Sequence, residues 1–161
     1  SYFDWGQMLD NNKNGFYPYT PAVNLLYALN EAVDMLLEEG LENVFKRHKR
    51  HADATRIAVE NWGLEILARN PIERSDSITA IMVPDGYDSD NLRKIIYDNY
   101  NMSLGTGLNK VKGKVFRIGH MGDLNDLTLA GTLSGVEMGL RQSGIPFKKG
   151  GIMAALDFLS K

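Results

Sequence analysis

Two short stretches of this 161-residue chain carry polar side chains in arrangements suited to gripping an anion. The first is Gly15-Phe16-Tyr17-Pro18-Tyr19-Thr20-Pro21. A proline pushes the residue before it out of the helical region, so residues 16–19 run extended. A helical pattern follows at once, with Thr20 suited to cap it and Pro21 suited to its first position. A helix start offers unpaired N–H groups and a positive dipole end, which favour phosphate or carboxylate. The hydroxyls of Thr20 and Tyr17 would add donors. The plainer alternative is that Thr20 only caps and the tyrosines only pack. The second stretch is Gly113-Lys114-Val115-Phe116-Arg117-Ile118-Gly119-His120-Met121-Gly122. In a strand, alternate side chains share a face, so Phe116 and Ile118 point one way and Val115 and Arg117 the other. With glycines at 119 and 122 leaving room, the planar guanidinium of Arg117 could take a carboxylate through two parallel hydrogen bonds. On the residues alone, an internal salt bridge or an exposed edge charge explains Arg117 better.

Other signals fail on spacing. Gly105-Thr106-Gly107 has no glycine at 110, so the dinucleotide fingerprint is incomplete, and Gly107 stands too far from Gly113-Lys114 for a phosphate loop. The glycines around Ser134 are wrongly placed for a nucleophile elbow. His48 and His51 lack an acidic ligand pattern nearby, which argues against zinc. His120 and Asp123 are close enough in sequence for a local hydrogen bond beside Arg117. With no cysteine, disulfides, thiolate nucleophiles and cysteine-based metal sites are excluded.

The 18 Lys and Arg against 20 Asp and Glu give a net charge of -2, without the basic excess of a nucleic-acid binder. The one basic run, Lys46-Arg47-His48-Lys49-Arg50-His51, lies in a helical pattern and is expected to form a solvated face or a partner contact. No apolar run is long enough to span a membrane, and no secretory pattern leads the chain, so the expected compartment is cytoplasmic. Ser1-Tyr2-Phe3-Asp4-Trp5 enters an apolar pattern without a lead and reads as part of a longer protein.

The elements that must hold these residues follow from periodicity and breakers. Residues 2–9 suggest a short helix and 10–15 a loop. A long helix is expected from Thr20-Pro21 to Gly40, and a second from Leu41 to the stop at Gly63. Residues 64–68, 78–83, 102–106 and 114–119 are strand candidates, separated by helices at 88–100 and 124–141 and followed by one at 149–159. The expected fold is α/β overall and α+β in its second part: a small mixed or antiparallel sheet covered on one face by helices, preceded by two long helices.

Taken together, Phe16-Tyr17-Pro18-Tyr19-Thr20-Pro21-Ala22, Leu25-Leu26-Tyr27-Ala28-Leu29, Glu39-Gly40-Leu41-Glu42-Asn43 with Arg47-His48, and Gly113-Lys114-Val115-Phe116-Arg117-Ile118-Gly119 resemble, in order, the class V aminotransferases of the serine-glyoxylate and alanine-glyoxylate type. The resemblance covers nearly the whole chain. It implies the C-terminal part of a fold-type-I homodimeric transferase using pyridoxal 5'-phosphate, with amino acids and 2-oxo acids as substrates. In it, residues 1–25 would end the large cofactor domain, 26–62 would be connecting helices, and 63–161 the small C-terminal domain. Tyr17 and Thr20 match the pair that reaches the cofactor phosphate of the other subunit, and Arg117 matches the arginine that holds the substrate α-carboxylate. The Schiff-base lysine, the acid facing the pyridinium nitrogen and the stacking aromatic ring would precede Ser1, so this chain alone is not expected to transaminate. A rival reading from another class is a non-catalytic α+β ligand-binding or regulatory module; a lysine-bearing upstream strand and turn would favour the transferase, and its absence the module.

Overall fold

The computed structural model describes residues 3–161, which fall into two compact units, residues 3–44 and Phe45–Lys161. In the first, helix α1 (Trp5–Asn12) starts at Asp4, whose carboxylate accepts from the N–H groups of Gly6 and Gln7. It runs three residues past the expected end, because Asn11 and Asn12 bond back to the carbonyls of Gln7 and Met8 instead of forming a loop. Of the helix expected over 2–9, Tyr2 lies outside the described residues. Helix α2 (Val23–Glu39) ends at Gly40, which adopts a positive φ of 82° that a side chain would resist. No residue of α2 is buried.

Helix α3 (Leu41–Trp62) closes at Gly63, as its spacing predicts. In the second unit, its Ala54, Ala58, Val59 and Trp62 enter the core. A four-stranded antiparallel sheet follows, in the order β1-β2-β4-β3, from β1 (Glu65–Ile66), β2 (Ile78–Met82), β3 (Gly105–Thr106) and β4 (Val115–Gly119). The strands at 64–68 and 102–106 shrink to two residues each. Helix α4 (Ser89–Tyr100) is capped by the Asp88 carboxylate on the Asp90 N–H and closed by Asn101 at a left-handed φ of 51°. Helix α5 (Asp126–Ser143) begins two residues later than expected, where Asn125 caps the N–H of Thr128. Helix α6 (Gly151–Leu159) ends the chain's regular structure.

Ile66, Ile81, Phe116 and Ile118 pack with Leu92 and Ile96 of α4 and Leu129, Leu133, Val136 and Leu140 of α5 in one buried cluster. The close approach of α4 to α5 depends on Gly139, where an added Cβ would lie 2.3 Å from Ile96 Cγ1. Helix α6 is pinned by Glu137, which accepts from Trp62 Nε1 at 2.7 Å and from the Ile152 N–H at 3.1 Å. Burial pushes the Glu137 carboxyl up, but these bonds, a longer one from the Gly150 N–H and the Arg141 charge outweigh it and leave the net shift downward.

Candidate functional site

The candidate residues fall in both units, and each set is built by its own surroundings. In the first unit, helix α2 begins at Val23, so Thr20 and Pro21 precede it and Thr20 is not its cap. Ala22 stands at the cap position with φ -73° and ψ 74°, and the Val23 N–H donates to the Pro21 carbonyl at 2.8 Å. That is an inverse γ-turn, and it closes the helix start through backbone alone. The expectation of an N-cap fails because Pro21 and Ala22 divert the chain before the helix begins. The N–H groups of Val23, Leu25 and Leu26 are spent on Pro21 and Ala22, so the helix end offers fewer free donors than expected.

The same diversion leaves the Thr20 hydroxyl available. Neither Thr20 nor Tyr17 has a hydrogen bond through its side chain among the described residues. Both line a cavity of about 340 Å³ with Met8, Pro21, Leu25 and Leu29. Tyr17 is 53% exposed, so about half of its surface meets solvent. Tyr19 lines the same cavity, so the arrangement is a group of hydroxyl-bearing side chains on a largely apolar wall.

In the second unit, β4 carries Arg117 on the sheet face opposite Phe116 and Ile118, as strand alternation requires. Its cross-strand neighbours are Ala80 on β2 and Gly105 on β3, two of the smallest side chains available. Gly119 also leaves space on this face, as a Cβ there would touch nothing within 4 Å, but the tight neighbour is Gly105. Arg117 makes no ion pair and no hydrogen bond among the described residues, and its Nε is buried without a partner. An unpaired buried donor costs about 1–3 kcal/mol, so a planar cation left in this state is a group awaiting an acceptor. The internal salt bridge considered as an alternative is absent among the described residues.

His120 does not join this site. Its ring is fully buried, with Nδ1 3.1 Å from the Asp76 carbonyl and Nε2 2.9 Å from Thr79 Oγ1. The carbonyl can only accept, so Nδ1 carries the proton and Nε2 accepts from the hydroxyl. Burial drives the His120 pKa down to about 4, against the opposing pull of the Asp76 carbonyl and with a further push from Arg56. The expected bond to Asp123 is therefore replaced by one that ties β4 to β2.

The basic run also departs from expectation. Arg50 and His51 both bind the Asp126 carboxylate, at 3.0 and 2.9 Å, and Arg47 donates to the Gly122 carbonyl at 2.7 Å. These side chains anchor the start of α5, while Lys49 stays exposed beside Asp53. Asp126 lies 75 residues from His51, a separation at which no local pattern marks the pair.

No protein-family model matches the sequence. Among curated proteins, the chain is 49% identical over 159 residues to the serine-glyoxylate aminotransferase of Methylorubrum extorquens, covering 98% of this chain and 40% of that protein. It is 49% identical over 160 residues to the serine-glyoxylate aminotransferase of Arabidopsis thaliana, covering 98% of this chain and 40% of that protein. The chain thus spans about two fifths of the length of the curated relatives it matches. Among solved structures, ureidoglycine-glyoxylate aminotransferase from Bacillus subtilis superposes with a TM-score of 0.86 at 28% identity, covering 99% of this chain and 42% of that one. Over nearly its whole length, the chain matches in sequence and fold the C-terminal portion of class V aminotransferases of fold type I.

Proposed function

We propose that the protein to which this chain belongs transfers an amino group from serine or alanine to glyoxylate, with pyridoxal 5'-phosphate as cofactor, as a cytoplasmic homodimer with shared active sites. In this reading, residues 1–25 end the cofactor domain, 26–62 connect, and 63–161 form the small domain. The observation that carries it is Arg117: a guanidinium flanked by Ala80 and Gly105, with a buried Nε and no acid paired with it among the described residues. Amino donor and 2-oxo acceptor both bear a carboxylate beside the reacting carbon, so one arginine serves both half-reactions.

The residues present fit the cofactor at one end only, its phosphate. Tyr17 and Thr20 offer two unpartnered hydroxyls in one cavity, which suits a charged oxygen acceptor at the dimer boundary. The chemistry that the cofactor supplies when bound is an electron sink for the substrate α-carbon. Arg117 orients the substrate through its carboxylate and balances that charge, which fixes where the α-carbon stands.

Charge-assisted hydrogen bonds contribute roughly 1.5–3 kcal/mol each. In the full-length enzyme, Arg117→Ala therefore lowers kcat/KM at least about tenfold for serine or alanine and for glyoxylate alike. Steady-state kinetics on each substrate test this, and unchanged values for both reject the role. A panel of serine, alanine and aspartate as donors against glyoxylate and pyruvate fixes the substrate pair. Absence of amino transfer with every pair favours the non-catalytic module instead.

A further inference from the structure

We infer that Gly105 is a positioning residue for Arg117, required as glycine so that the guanidinium can lie across strand β3 with its carboxylate-binding end free. The inference rests on the proposed role of Arg117 and goes beyond it. Gly105 has no positive φ, so the backbone conformation does not explain a glycine there. The steric surroundings do. A Cβ on Gly105 would lie 3.0 Å from Arg117 Cβ and 3.0 Å from its Nε. Arg117 Cβ is fixed to its strand, so an alanine would need a shift of a few tenths of an ångström between β3 and β4 at that contact and a displacement of the arginine side chain at Nε.

Strand β3 is poorly placed to yield. It is two residues long, paired to β4 at Gly105 and Thr106. On its other side Thr106 Oγ1 donates to Asp90 at 2.9 Å, Asp90 accepts from Arg93 at 2.9 Å, and Arg93 Nε donates to the Leu104 carbonyl at 2.8 Å. This network ties both ends of β3 to helix α4. Beyond the small strand shift at Cβ, the guanidinium is therefore the part that gives way. Because Nε already lies buried against Gly105, the two terminal nitrogens are left to meet a ligand. Tilting the plane at Nε would swing both of them off a carboxylate held in the parallel two-bond geometry.

The test is a double-mutant cycle on the full-length holoenzyme, read by titration calorimetry with 3-hydroxypropanoate. This probe is serine without its amino group, so it binds through its carboxylate and cannot react. Gly105→Ala is expected to weaken binding at least about tenfold, comparably to Arg117→Ala, with cofactor absorbance retained. In the Arg117→Ala background the same glycine substitution is expected to change binding less than about twofold. If Gly105→Ala leaves the wild-type affinity intact, or costs as much without Arg117 as with it, the inference fails. If Arg117→Ala itself has no effect, the carboxylate-binding reading fails first. Should Gly105→Ala not fold, Ala80→Val crowds Arg117 from β2 and is carried through the same cycle with the same criteria.

Discussion

Helices α2 and α5 are nearly equal in length, at 17 and 18 residues, and both place leucines at helical spacing. Leu129, Leu133 and Leu140 of α5 are fully buried, whereas Leu25, Leu29 and Leu37 of α2 are 71%, 60% and 64% exposed. The same pattern has opposite outcomes because periodicity specifies a face and not what covers it. In the second unit the cover is supplied by the sheet and by α4. In the first, the described residues supply none, and the proposed cofactor-holding hydroxyls sit beside the uncovered face. One unit is thus a self-contained support for Arg117, while the other leaves a leucine-bearing helix face exposed among the described residues.

Truncation at matched leucines tests that contrast most strongly. Leu133→Ala in the 161-residue chain is expected to cost about 3 kcal/mol, since a buried leucine loses both its transfer energy and its packing. Leu29→Ala should cost less than about 1 kcal/mol in the same chain, because most of its surface already meets water. In the full-length dimer the cost of Leu29→Ala should rise towards that of Leu133→Ala. Denaturant midpoints in both contexts measure it, and a Leu29 cost that stays small in the full-length protein breaks the proposed assembly.

A pH scan separates the units next. The folded-state pKa of His120 is depressed to about 4 from an ordinary 6.5, so between these values the unfolded chain binds a proton that the folded one refuses. Stability is therefore complete above about pH 6.5 and declines as pH falls towards 4, by at most about 3 kcal/mol. Chemical denaturation at half-unit steps from pH 7 to 5 should show the decline, and His120→Gln should flatten it. A slope that His120→Gln leaves unchanged would mean the ring is not the buried neutral group its bonds indicate.

The elements were largely legible in the sequence, and the reasons for the exceptions are physical. Gly40 and Gly63 mark the helix ends because positive φ at those points is a local demand. Strand alternation gave the direction of Arg117 because it depends only on neighbours two residues away. What stayed hidden was contact at long range. Gly105 drew attention only as part of a failed dinucleotide pattern, although its value lies in facing Arg117 across twelve residues of chain. His51 and Arg50 looked like solvated charges because Asp126 is some 75 positions away. The start of α2 was misread for a local reason: Thr-Pro is a good helix opening, but the γ-turn at Ala22 serves the same end without the threonine. That misreading mattered in the site's favour, since a capping Thr20 would have spent its hydroxyl oxygen on a backbone N–H.

The smallest expected effect concerns that freed hydroxyl. If Tyr17 and Thr20 hold a phosphate, the variants Tyr17→Phe and Thr20→Val should each loosen the cofactor about fivefold in the full-length enzyme, corresponding to about 1 kcal/mol per hydrogen bond. The bound cofactor's absorbance after dialysis reads the loss. Neither variant should move the denaturant midpoint of the 161-residue chain, because neither hydroxyl has a partner among the described residues whose loss could be felt. The contrast with Leu133 is then complete: one unit carries stability in its apolar contacts, and the other carries affinity in polar groups that add nothing to its fold. Full cofactor retention in the double variant would leave the cavity beside α2 without a role in binding phosphate, while Arg117 and its cradle on the sheet would stand unaffected, since they are built from different strands of the chain.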